Sequence, residues 1–496
     1  MLRYAGHPLV DVGIATIAAF VNKRELTSIT EADLDKVADF MARQYVVDPL
    51  KSFLTVAFPN SGFTNPAFNK TPEKRLIYAE RTLRAYRTGT PVLKVNDVFT
   101  GEPAADVPFD VKGELKPGYI FRQHAPLLTG EEVINFFPGG DAGLPVSGTT
   151  MLALQAFPLG CAKCGGRLLA VHSDNPDLIQ DFAAEFLQKN RQALQLAQQS
   201  GSKKMPEAKS SAKTLLIETL LRVEESRQDE GRQHRPCSVT AYHLSNLGAT
   251  PSLDIYHLPL ELTDFLSRIV SPDYRTEWDA IVHRAWRLSR PKKKSKKGMG
   301  DTKEKEEEED IRPRRNVLYE DLFQLPGNAR EFVRRYFLCI PVRTRSEDDP
   351  RRTYSLRDEA GLVSWKLTEL LLRRVMNMDK DRIQQIRELG DRLAAYVSHE
   401  NDRRFFAAFF QHRYDYFRNA LIRANLAHVK RGNPPLITLD PYIAIFEEGN
   451  EVAAPDWRLA RDLVLIRMVE QLYKQGWLGS HPEAIPEVSE EPESAM

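Results

Sequence analysis

Cysteine is scarce, with four residues among 496, and a chain this poor in thiols has no disulfide framework to hold it together. A reducing, cytoplasmic setting is the expectation. Long apolar runs are also missing. The most apolar early stretch, Val10 to Val21, is too short to span a bilayer and contains Asp11. No basic leader with a small-residue cleavage site precedes it, so neither membrane insertion nor secretion is expected. Net charge is nearly absent, since 69 Lys and Arg stand against 68 Asp and Glu for a formal +1. Composition excludes a collagenous, fibrous or largely disordered chain, and the length favours two or three domains over one overgrown core.

Catalytic signatures are missing too. The sequence has no Gly-x-x-x-x-Gly-Lys-Ser/Thr phosphate loop, no His-Glu-x-x-His helix and no Gly-x-Ser-x-Gly elbow. A zinc deaminase needs His-x-Glu ahead of Pro-Cys-x-x-Cys, yet the only His-x-Glu, at His481 and Glu483, follows the cysteine pair. The group His399, Glu400 and Asp402 reads as a solvated helix end rather than acid-base machinery.

What is present is segmental. Across residues 291–312 a lysine block (Lys292 to Lys294, Lys296, Lys297) runs into an acidic block (Glu304, Glu306 to Glu309, Asp310), and so polar a stretch is expected to be a disordered linker. Gln198 to Ser211 is a second polar hinge, and residues 479–496 form a tail that is acidic from Pro482 onward. Ahead of the linker, residues 1–290 read as mixed α/β. Helices are predicted at about Thr30 to Tyr45, with Ser28, Thr30 and Asp33 near the start, and at about Pro72 to Arg87. Strands are predicted at Ser52 to Phe58, Thr150 to Ala156, Leu168 to Val171 and Ser238 to Leu244. Beyond the linker, residues 313–350 read as a basic joining helix and 351–478 as a helical bundle. The fold class is α+β, a mixed N-terminal region with a zinc-knuckle-like element followed by a C-terminal α-helical bundle.

That element is Gly160-Cys161-Ala162-Lys163-Cys164-Gly165-Gly166. Two thiolates separated by two residues in a glycine-flanked knuckle can hold one structural Zn²⁺. His234 and Cys237 have the matching spacing for the other two ligands, and His172 or His243 are alternatives. Free buried cysteines and thioredoxin-like redox chemistry are the rival readings of the pair. Glycine-rich turns offer a second kind of site. Phe136 to Gly143 and Asn60 to Asn65 place glycines where backbone can approach a ligand closely, and asparagine can read base edges. The segment Thr240 to Gly248 reads as a strand entering a polar turn with Asn246 exposed at its tip.

Charge in the second half is the third signal. Eight arginines and no lysine lie between Arg312 and Arg345 against three acids, which suits a phosphate backbone. From Arg403 to Arg431, seven basic residues face one acid, Asp415, and are interleaved with Phe405, Phe406, Phe409, Phe410, Tyr414, Tyr416 and Phe417. Helical spacing assigns most of these rings to packing. Arg404, Arg418, Lys430 and Arg431, on the opposite face, are candidates for a nucleic-acid groove that Arg373 and Arg374 extend.

Several of these segments together resemble the large subunit of type I-B CRISPR surveillance complexes (Cascade). The resemblance is carried by Gly6-His7-Pro8-Leu9-Val10-Asp11-Val12-Gly13-Ile14-Ala15-Thr16, Asn60 to Phe68, the cysteine pair, Thr240 to Gly248 followed by Tyr256-His257-Leu258-Pro259, and Leu318-Tyr319-Glu320-Asp321-Leu322-Phe323. It runs nearly end to end but rests on the order of segments, not on one biochemical signature. It implies an α/β region at the 5′ handle of a guide CRISPR RNA and a helical bundle resembling the small subunits. The large subunit would read the protospacer-adjacent motif, help part the target double-stranded DNA and hold the displaced strand. The backbone, handle-capping and small subunits would be its partners, with cleavage left to a recruited helicase-nuclease. Residue chemistry nominates Asn246, Asn60, Gly139 and Gly140 for the adjacent motif, with Lys163 and Arg167 for nearby phosphate. The competing readings are a zinc-dependent nucleic-acid hydrolase drawing on His172, Asp174 and Glu185, and an RNA-binding scaffold outside CRISPR defence.

Overall fold

A computed structural model of the chain describes residues 2–131, 133, 140, 142–232, 235–248, 251–287, 314–344, 346–447 and 453–486. The linker at 291–312 lies outside them, as do residues 487–496, Gly139 and His234. The chain divides into two units, Met1–Thr263 and Asp264–Met496. The first is mixed α and β and the second helical.

The first unit opens with α1 (Pro8–Phe20), apolar on nearly every side and buried on nearly every side, as a helix without a polar face must be. Asp11 in its first turn accepts from the Ala5 and Gly6 amides at 2.6 and 3.0 Å, tying the entering chain to the helix start. A capping box of Thr30 and Asp33 begins α2 (Glu31–Gln44), so the sequence signal there is realised. Next come α3 (Leu50–Leu54), α4 (Pro72–Leu83), the ribbon of β1 (Val92–Asn96) and β2 (Pro103–Ala105), the short pair β3 (Tyr119–Ile120) and β4 (Leu144–Pro145), and α5 (Gly148–Ala156).

Two stretches predicted as strands are not strands: Ser52 to Phe58 starts in the end of α3 and continues as turn beyond Leu54, and Thr150 to Ala156 lies in α5. A fully buried apolar run carries neither period, and the start of α5 decides its form. Ser147 accepts from the Thr150 amide at 3.2 Å, and Gly148 lies so near Ala85 that a Cβ would stand 2.0 Å from its carbonyl oxygen. Gly13 does the same for α1 against α5, where a Cβ would meet the Ala153 carbonyl oxygen at 2.0 Å.

The main sheet has the order β5 (Ala162–Cys164), β6 (Arg167–Ser173), β7 (Val239–Ser245) and β8 (Ser252–Leu258), antiparallel throughout. Helices α6 (Pro176–Gln199) and α7 (Ala212–Asp229) form the connection between β6 and β7. Leu168, Ala170 and Leu244 share one sheet face and join Val10, Ile14 and Ile17 of α1 in a single core.

The unit boundary falls within α8 (Leu260–Ile269). The second unit continues through α9 (Pro272–Arg284), α10 (Val317–Leu322), α11 (Ala329–Phe332), α12 (Leu356–Glu359), α13 (Trp365–Arg374) and α14 (Lys380–Glu400). It ends with α15 (Arg403–Ala408), α16 (Tyr414–Lys430), α17 (Leu439–Phe446), α18 (Trp457–Lys474) and α19 (Trp477–Ser480). Helices α14 and α18 form its central pair. Gly390 of α14 permits that approach, since a Cβ there would lie 2.6 Å from Arg467 Cβ. Among the described residues, no helix is long and apolar enough to cross a membrane.

Candidate nucleic-acid interface

The Cys-x-x-Cys segment is built as a hairpin. Cys164 of β5 pairs with Arg167 of β6, leaving Gly165 and Gly166 as a two-residue turn with φ of 57° and 75°. That left-handed pair is what a type I′ hairpin turn requires. Cys161 is itself extended, with φ −111° and ψ 147°. The two thiols therefore stand three residues apart on one extended run and leave it on opposite faces. Cys161 Sγ donates to the Phe157 carbonyl at 3.2 Å, whereas Cys164 Sγ lies 3.6 Å from His243 Nε2. Burial pushes the Cys161 thiol well up and the Cys164 thiol to about 12, so neither is poised as a nucleophilic thiolate. Cys237 is buried as well, and His234 lies outside the described residues. Leaving the run on opposite faces, Cys161 and Cys164 do not fit one shared zinc site, and among the described residues no three His, Cys, Asp or Glu side chains group closely enough to hold a metal.

Beside the hairpin, Lys163 Nζ lies 2.9 Å from Glu207, whose other oxygen accepts from the Gly166 amide at 2.8 Å. Arg167 reaches across the sheet to Asp254 at 2.6 Å. Both cations nominated for phosphate are thus held in ion pairs within the first unit.

Asn246 requires a correction: it is fully buried. Its amide nitrogen donates to the carbonyls of Ala57 and Arg122, each at 3.0 Å, and its backbone N–H donates to Val56 at 2.8 Å. Arg122 Nη2 in turn donates to the Asn246 carbonyl at 2.8 Å. The turn after β7 is thereby stitched to the segment leading to Asn60 and to the segment after β3. Gly143 sits against Phe121 and Ile120, beside Arg122 in sequence. Among the exposed residues of these turns are Asn60 (φ 62°) and the apolar tip Leu247, 44% exposed, and Gly140 (φ 67°) is exposed as well. Asn246 is the clamp beneath them. Replacing it by Ala leaves a buried and a partly buried carbonyl without this donor and is expected to destabilise the first unit by about 1–3 kcal/mol. Leu247→Ala should leave stability nearly unchanged. Urea unfolding of both variants checks this, and a negligible shift for Asn246→Ala would remove the clamp.

In the second unit the arginine-rich stretch turns inward. Arg334 and Arg461 converge on Asp462 at 3.0 and 2.7 Å. Arg335 and Arg351 meet Asp321 at 3.4 and 2.9 Å, and Arg287 and Arg351 meet Asp349 at 3.4 and 2.8 Å. Arg314 lies over the Trp286 ring. Among the described residues of the stretch that resembles a phosphate-binding footprint in sequence, Arg334 and Arg335 are thus engaged in internal ion pairs and Arg314 against a ring. Arg373 pairs with Glu369 at 2.5 Å and Arg374 with Asp264 at 3.3 Å.

The Arg403 to Arg431 segment divides differently. Arg403 pairs with Glu483, Arg413 with Asp415, Arg418 with Glu447 and Arg431 with Glu400. Among the described residues Arg404, Arg423 and Lys430 have no ion-pair or hydrogen-bond partner, and all three are exposed. Phe405, Phe406, Phe409, Phe410 and Phe417 are buried, in line with their assignment to packing. Tyr416 is the exception at 55% exposure. On α16 the residues Tyr416, Arg423 and Lys430 follow one another at seven-residue steps, two helical turns or about 10 Å each, and so line one face. Phe417, Leu421 and Ala424 are the residues by which α16 is buried. A ring in file with two unneutralised cations supplies the stacking and the phosphate contacts that a single strand needs. Tyr416 and Arg423 escape the sequence reading, although their heptad spacing is visible in it. No protein-family model, curated protein or solved structure matches this chain.

Proposed function

We propose that the chain is a non-catalytic nucleic-acid-binding subunit of a type I CRISPR surveillance complex, acting in recognition of the adjacent motif and in duplex opening. The observation that carries the reading is the face of α16 on which Tyr416, Arg423 and Lys430 stand exposed, the cations without counter-charge among the described residues. This face would hold displaced single strand. The loop cluster of the first unit would meet the duplex, with Asn60 and Gly140 approaching base pairs and Leu247 pressing against a parted step, the role apolar side chains take when they separate stacked bases. Zinc has no part in this proposal, because the cysteines do not converge. Strand cleavage falls to a separate helicase-nuclease.

Sequencing the RNA that co-purifies with the chain from its native host tests the assignment. Repeat-derived guide RNAs are expected. Bulk cellular RNA would leave a polyanion-binding scaffold and end the CRISPR assignment, and an absence of nucleic acid would end both.

A further inference from the structure

We infer that the acidic segment after Pro486 is the resident occupant of the cationic end of α15 and α16, and competes there with nucleic acid. The inference rests on the α16 reading above. Residues 487–496 lie outside the described residues and contain Glu487, Glu490, Glu491 and Glu493 but no Lys, Arg or His. Their point of departure is fixed. Residues Pro482–Ala484 turn against α15, Glu483 is paired with Arg403, and the Ile485 carbonyl accepts from Arg357 at 2.7 Å. The segment therefore leaves beside α15, whose next cation, Arg404, has no partner among the described residues.

Arg404 and Lys430 belong to the same end of the helices, because Tyr396 of α14 packs against both Phe405 and His428, with ring centroids 5.3 and 5.6 Å away. Nearby acids are engaged already: Glu400 holds Arg431, and Asp402 accepts from the Tyr396 hydroxyl and the Phe405 amide. Among the described residues Arg404, Lys430 and Arg423 remain without counter-charge. Ten residues reach at most about 35 Å, so a segment that meets Lys430 is long enough to extend over the roughly 10 Å from there to Arg423. The acidic block Glu304 to Asp310 is the rival within the chain, but in sequence it follows a block of five lysines at 292–297, whereas residues 487–496 carry no cation. A tethered segment acts at an effective concentration near millimolar, so weak pairing suffices to screen the face from ligands that offer few phosphates.

The test uses the full chain, a variant with Glu487, Glu490, Glu491 and Glu493 changed to Gln, and the same variant carrying Arg404→Gln, Arg423→Gln and Lys430→Gln. Zero-length carbodiimide cross-linking without nucleic acid is expected to join these glutamates to Lys430 in the full chain. Affinity for a twenty-nucleotide oligo-dT at low salt is expected to rise about tenfold in the glutamine variant and not in the combined one. Absent cross-links to Lys430, or a rise equally large without the three cations, would overturn the inference while leaving oligonucleotide binding intact. Cross-links with unchanged affinity would overturn the competition. Cross-links in a chain that binds no oligonucleotide would instead refute the nucleic-acid reading of α16 and leave the docked acidic segment standing.

Discussion

Asp462→Asn is expected to remove about 3–5 kcal/mol from the stability of the second unit. Asp462 and Arg461 are adjacent on α18 and both fully buried, and Arg334 closes on the same carboxylate. Arg330 stands 3.9 Å away. Burial pulls the Arg461 pKa down, opposed by the Asp462 charge and reinforced by repulsion from Arg334 and Arg330. One carboxylate is therefore what allows several guanidiniums to sit in the interior, and an amide cannot replace its charge. Arg461 keeps the Gln411 carbonyl and the Trp457 ring, so local shape survives while charge balance does not. Hydrogen exchange in α14 and α18 under mild denaturant reads the loss where it occurs. A change below about 1 kcal/mol would mean that the arginines find other compensation. Arg373→Ala, which breaks an exposed i,i+4 pair with Glu369, should shift the same readout by only a few tenths of a kcal/mol.

That contrast explains why the arginine-rich stretch misleads at the level of sequence. Between Arg312 and Arg345 the acids are few, so a local charge count sees an unneutralised run. Part of the neutralisation comes from elsewhere in the chain: Asp462, which holds Arg334 and stands 3.9 Å from Arg330, lies far outside that window. Asn246 misleads for a related reason, since a polar residue ending a strand reads as exposed unless its buried carbonyl partners, at Ala57 and Arg122, are known. Other features are local and therefore legible. The Thr30–Asp33 capping box, the helical second unit and the burial of the phenylalanines at 405, 406, 409, 410 and 417 all follow from short-range spacing. The cysteine pair lies between these cases. Gly165-Gly166 between two apolar runs is a hairpin signal in its own right, and it places the thiols along one strand, where their odd separation sends them apart.

Combining Arg404→Glu, Arg423→Glu and Lys430→Glu should flatten the dependence of single-strand affinity on salt. Each phosphate contact contributes about 0.7 to the slope of log K against log salt for single strands, so losing three lowers it by about 2. All three side chains are exposed, which separates a binding defect from a folding one. Arg418→Gln with Arg431→Gln is the matched control. Those cations already face Glu447 and Glu400, and removing them should leave the slope close to that of the unaltered chain. Tyr416→Ala probes the other component. Loss of one stacked base should weaken binding by about 1–3 kcal/mol at every salt concentration, lowering the line without changing its slope. Fluorescence anisotropy with oligo-dT across a salt series distinguishes a changed slope from a changed intercept. An unchanged slope in the triple variant would remove α16 from the interface, whereas an unchanged intercept in Tyr416→Ala would reduce the face to a purely electrostatic track.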